Sequence, residues 1–170
     1  MCPASLSLEP AADTFVNADH PDENKGTDKN IKTRPESDKL KHGLLRFDLS
    51  SLPAEASLQS ATFLVTSDNS RNDHAVEIRA LLTAWSETGA TWQSPGGGAA
   101  WAGGGDFGGG DYADTVYATL MPVGDKTQLS ADVTGLALDW LSGASANHGL
   151  VMLATGTDGG DAKWFTRDED

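Results

Sequence analysis

The sequence predicts an all-β sandwich, and three observations carry the prediction. Apolar residues recur at every second position in short runs rich in Val, Ile, Thr, Phe and Leu, which is the period of a strand with one face buried. Turn residues separate most of these runs at the spacing of about 8–12 residues found in sandwiches. Glycine is abundant, at 19 residues, and only one segment shows helical spacing.

Asp13-Thr14-Phe15-Val16 reads as the first strand, followed by a polar loop from His20 to Asp28. Asn30 to Thr33 is expected as a short edge strand. The run Gly43 to Leu49 is the clearest, and Pro53 breaks it. Ser57 to Thr66 alternates through Leu58, Ala61, Phe63 and Val65, and Ala75 to Leu82 through Val76, Ile78 and Ala80. Tyr112–Leu120, Thr127–Val133, Gly149–Ala154 and Ala162–Thr166 complete eight or nine strands. Thr134 is expected to cap a helix over Gly135–Leu141, with Leu136, Trp140 and Leu141 on one side and Gly143 as its stop. Residues 1–10 form an expected N-terminal tail, and 11–170 an expected single domain. A chain of this size buries about 70% of its unfolded surface, enough for a core without disulfides or metal.

Twelve basic against 25 acidic residues give a net charge of −13, which argues against nucleic acid as a partner because phosphate binding needs a cationic surplus. No apolar run approaches the ~18 residues that span a bilayer, and no signal peptide is expected to remain, so that for an exported protein this sequence would be the mature part or a fragment. Cys2 has no second cysteine to pair with. It is either an idle terminal thiol or a lipoprotein anchor left after signal removal. Catalysis finds no footing. His20, His42, His74 and His148 are scattered without zinc-site spacing and are expected to be exposed polar residues. No Gly-x-Ser-x-Gly elbow occurs.

Several short runs, in order, resemble the DNRLRE (disaggregatase-related) domain family of secreted and surface proteins. They are Ala12-Asp13-Thr14-Phe15-Val16, Asn24-Lys25-Gly26-Thr27, Leu44-Leu45-Arg46-Phe47-Asp48-Leu49-Ser50 with Leu52-Pro53, and Ser60-Ala61-Thr62. Trp85-Ser86-Glu87 with Thr91-Trp92, Gly104-Gly105-Asp106-Phe107, Asp132-Val133-Thr134 with Trp140, Gly149-Leu150 and Phe165-Thr166-Arg167-Asp168-Glu169 complete the series. The resemblance implies a jelly-roll β-sandwich, located outside the cell or on its surface. For some relatives it implies a carbohydrate-binding role, alginate included, and for others a repeat unit of surface proteins and adhesins.

Two readings of function follow. The first is a non-catalytic carbohydrate-binding module for an anionic, uronate-type polysaccharide. Lys25, Lys29, Lys32, Arg34, Lys39, Lys41 and Arg46 supply seven of the twelve basic residues within 22 positions. That segment carries +4 in a chain of −13, so the remainder carries −17. Lys25, Lys29, Lys32, Arg34, Lys39 and Lys41 are the expected ligand-binding cations, while Arg46, inside an apolar strand, is expected to be structural. The plain alternative is an edge strand guarded against aggregation by lysines. Trp92 and Trp101 flank or lie within residues 96–110, a run with nine glycines. That run reads as a long flexible loop, and the two indoles as candidate platforms for a sugar ring. Trp85 and Trp140 are expected in the core. The second reading is a structural or adhesive surface domain that self-associates.

The resemblance to binding modules also implies a structural calcium ion, which takes six to eight oxygen ligands. Asp13, Asp19, Asp22, Asp106 and Glu169 are the candidate ligands. Asp111, Asp114, Asp158 and Asp161 belong to two further acidic groups. Solvated turn residues remain the alternative for all of them.

Overall fold

The computed structural model describes residues 4–53, 56–69, 73–157 and 159–166. Nine strands, β1 (Ala12–Asn17), β2 (Asn30–Thr33), β3 (Lys41–Arg46), β4 (Thr62–Ser67), β5 (Ala75–Ala80), β6 (Ala118–Leu120), β7 (Thr127–Asp132), β8 (Leu150–Thr155) and β9 (Ala162–Phe165), and one helix, α1 (Thr134–Ser142), are present among these residues. They form two antiparallel sheets, a five-stranded one in the order β1-β3-β8-β5-β6 and a four-stranded one in the order β2-β9-β4-β7. Apart from β5 and β6, each strand lies in the sheet opposite the one before it. This is a β-sandwich, as the alternation predicts.

Side-chain chemistry explains the two kinds of strand. β4 and β5 alternate between buried and less buried residues, while β1 and β8 are buried almost throughout. Continuous burial requires cover on both faces. The inner face meets the other sheet through Phe15, Ile31, Leu45, Phe63, Val65, Val76, Ile78, Leu150, Met152 and Trp164. The outer face of the five-stranded sheet carries a second cluster, in which Val16, Leu44, Val151 and Leu153 pack beneath Trp85, Trp92, Trp101 and Phe107. The segment from Leu81 to Tyr112 is therefore a roof. At the edge shared by the sheets, Gly43 admits β2: a Cβ there would lie 2.6 Å from Ile31 Cγ2.

Four local expectations are corrected. β3 ends at Arg46 rather than Leu49, because the Phe47 carbonyl leaves the ladder to accept Asn147 Nδ2. β4 begins at Thr62, not Ser57. The Tyr112–Leu120 run shrinks to β6 plus one bridge, Leu81 to Tyr112. The intervening stretch is held instead by Arg79, whose Nη1 donates to the Ala113 and Asp114 carbonyls at 3.4 and 3.0 Å. Thr134 opens α1 instead of capping it: its hydroxyl is engaged by Asp132 and Ala61. Val133 holds the cap position without a side-chain bond, while Gly143, at φ 77°, ends the helix as expected. Leu136 is buried, but Leu141 is 43% exposed.

Candidate functional site

The cations of the 25–41 segment gather around β2, with one exception. Lys25 sits in an earlier loop and pairs with Glu23 at 2.6 Å. That loop is docked on the roof, because Asn24 Nδ2 donates to the Glu87 and Ala90 carbonyls at 2.7 and 2.8 Å. Gly26 is needed for the approach, since a Cβ would stand 2.1 Å from the Glu87 oxygen. Lys29 is exposed just before β2, and its carbonyl accepts the Thr166 hydroxyl at 3.0 Å. On β2 itself, Ile31 and Thr33 are buried while Lys32 and Arg34 are half-buried, so the two cations share the outward side.

Besides Lys25, three of the cations are already partnered. Arg34 donates to Glu36 through Nε at 2.9 Å and through Nη2, and reaches Asp161 at 3.4 Å. Lys39 lies 3.7 Å from Glu36. Lys41 grips both Asp161 oxygens at 2.8–2.9 Å, with its side chain only 11% exposed. Burial pushes the Asp161 carboxyl up, but Lys41 and Arg34 outweigh it and leave the group below its ordinary value. The hydrogen bond from Arg34 holds Glu36 low in the same way. Lys41 is thus a buried clamp between β3 and the approach to β9, not a free contact. Lys29 and Lys32 pair with no carboxylate among the described residues; the Lys32 ammonium rests over the Phe15 ring, 5.6 Å from its centroid.

The expected indole platforms are corrected. Trp101 is 1% exposed and Trp92 8%. Trp101 Nε1 donates to the Thr91 carbonyl at 3.0 Å, and Phe107 meets its ring edge-on at 5.0 Å. The apolar outer face of the five-stranded sheet draws these side chains inward, leaving their glycine neighbours at 103–105 in open space. The 96–110 run is accordingly a pinned cover. Its main fastener is Asp111, fully buried, whose carboxylate accepts Ala102 N–H at 2.8 Å, Gly108 N–H at 3.0 Å and the Thr83 hydroxyl at 3.0 Å.

The acidic residues are dispersed. Asp13 is buried, and its N–H donates to Glu87 Oε1 at 2.9 Å. Asp19, Asp22 and Asp106 are exposed, and Glu169 and Asp158 lie outside the described residues. Among the described residues no three His, Cys, Asp or Glu side chains gather as a cation site.

Two histidines are corrected from exposed to buried. His42 is 5% exposed, with its ring between Trp92 and Phe107. Its Nδ1 accepts the Ala154 N–H at 3.1 Å, and burial pushes its pKa down to about 3. His74 joins a closed chain. Asp73 Oδ1 lies 2.9 Å from its Nδ1, Thr33 Oγ1 lies 3.3 Å from its Nε2, and Trp164 Nε1 donates to that hydroxyl at 3.0 Å. The carboxylate–imidazole–hydroxyl order resembles a nucleophilic triad, but Thr33 is fully buried and its oxygen already accepts the indole N–H. It ties β2 to β9.

Two residues that sequence reasoning passed over lie on the same outward side. In the β2–β9 register Lys163 faces Lys32 and Phe165 faces Asn30. Both are half-buried, while Ala162 and Trp164 between them are buried. Alternation alone places them outward; only the strand pairing places them beside the basic segment.

Residues 4–100, more than half of the chain, match the model of carbohydrate-binding module family 96. The chain belongs to this family. No curated protein matches it. The match bears out the carbohydrate-binding side of the resemblance without extending to the DNRLRE designation. The family 96 module is therefore a carbohydrate-binding domain with a polysaccharide partner, of a kind generally non-catalytic and typically found outside the cell or on its surface. No helix among the described residues is long and apolar enough to cross a membrane. The matched span holds β1 to β5 and all six candidate cations; β9, with Lys163 and Phe165, lies beyond it.

Proposed function

We propose that this family 96 module binds an acidic, uronate-type polysaccharide along the β2 edge of the sandwich. The supporting observation is the surplus of cations there. Arg34, Lys39 and Lys41 share the carboxylates of Glu36 and Asp161, while Lys29 and Lys32 pair with none among the described residues. A chain of net charge −13 would repel a polyanion everywhere else, so this edge also sets the direction of approach. Each exposed ion pair contributes only about 0.2–1 kcal/mol. Useful affinity therefore comes from several uronates engaged at once on one polymer. Lys29, Lys32, Arg34 and Lys39 are the contacts in this reading, Lys41 the clamp that positions them, and Lys25 a peripheral cation.

Affinity electrophoresis tests it. The module is run through gels containing alginate, polygalacturonate or a neutral glucan, at low and at high salt. Retardation by the two polyuronates alone, fading as salt rises, is expected. Equal migration in every gel overturns the reading. A ladder of oligomers by size-exclusion mass measurement, unaffected by glycan, would favour the self-associating surface domain.

A further inference from the structure

We propose that the outward side of β2 and β9 holds a single uronate residue, its carboxylate between Lys32 and Lys163 and its ring against Phe165. The proposal rests on the acidic-polysaccharide reading above and adds two residues and a geometry to it.

Register supplies the first argument. Lys32 stands directly opposite Lys163, and Asn30 directly opposite Phe165. Directly opposed side chains have Cβ atoms about 4.5–5.5 Å apart, and the next residue on the same side of a strand follows at about 6.6–6.8 Å. One strand pair therefore presents two cations and, one step along, an aromatic ring. Ser67 of β4 pairs with Trp164, so Thr66 adds a hydroxyl next to Phe165 on the open side.

Charge supplies the second. Like charges directly opposite each other destabilise a sheet. Among the described residues no carboxylate lies within ion-pair distance of Lys32 or Lys163, although the β4–β9 register sets Asp68 across from Lys163, its N–H donating to the Lys163 carbonyl at 2.8 Å. One row away, by contrast, Arg34 and Lys41 are both satisfied by Asp161. Lys32 turns aside over Phe15, and its four-carbon stem can swing back. A carboxylate set between the two ammonium groups converts a repulsion into two ion pairs. A uronate carries on one residue both that carboxylate and an apolar ring face for Phe165, which a simple anion or a neutral sugar does not.

Calorimetric titration of the whole chain with polygalacturonate, and with its methyl ester as the uncharged form, tests the proposal. Lys163→Gln is expected to weaken polygalacturonate binding by roughly five-fold, the scale of one or two exposed ion pairs, and Phe165→Ala by a similar factor. Lys163→Arg is expected to bind like the parent, and the ester to bind weakly to all. If the parent binds and both Lys163→Gln and Phe165→Ala bind equally well, this placement is wrong while the acidic-polysaccharide reading stands. Equal binding of the ester overturns recognition of the carboxylate. No binding by the parent overturns both.

Discussion

The five-stranded sheet is covered on both faces, by its partner sheet and by the Leu81–Tyr112 roof, whereas the four-stranded sheet leaves its outward face to solvent. The roofed face is filled with indoles and a neutral imidazole. The open face offers Lys32, Lys163, Phe165, Thr66, Gln128 and Ser130. Large aromatics thus serve stability on one side, and a smaller, more polar set faces solvent on the other. A count of tryptophans is a poor guide to where a sugar stacks when an apolar sheet face needs covering.

The comparison can be broken by removing the roof. Trp101→Ala is expected to cost about 3–5 kcal/mol, the usual loss for truncating a buried aromatic, read as a large fall in the denaturant midpoint. A loss below about 1 kcal/mol would mean that the cover is dispensable. Acid sharpens it next. His42 ionises normally when unfolded, near 6.5, but only near 3 when folded, so the unfolded chain takes up the proton first. Its contribution is complete above pH 6.5 and is lost as pH falls, by about 1.4 kcal/mol per pH unit. Urea titrations between pH 6.5 and 4.5 should show that slope in the parent and a shallower one in His42→Gln. The smallest effect belongs to the open face. Thr66→Ala and Gln128→Ala should each leave stability within about 0.5 kcal/mol, by the same titration at pH 7.

The sandwich was legible because alternation and turn spacing are local signals, and every expected strand has a counterpart. Strand ends were less so, since β3 stops where Asn147, about a hundred positions away in sequence, captures the Phe47 carbonyl. The basic segment was legible as charge, but not the pairing that satisfies Arg34 and Lys41 through Asp161, 120 residues or more away. Trp92 and Trp101 were read as free because glycines surround them. Nothing in β1 or β3 alone, both interrupted by polar residues, reveals that the sheet needs a lid; the unbroken apolar run of β8, Leu150 to Ala154, was the available clue. Lys163 and Phe165 stayed hidden for the opposite reason. Their own strand is plain in the sequence, but its neighbour is not.

The grip of Lys41 on Asp161 joins a strand of one sheet to the approach of a strand in the other, and it is shielded where the exposed Lys29 is not. Dissolved ions weaken exposed attractions far more than sheltered ones. On the proposed reading of an acidic polymer held by exposed lysines, a brackish surrounding would therefore strip polymer from the module while leaving its rivet fastened, so that release and unfolding answer to different conditions.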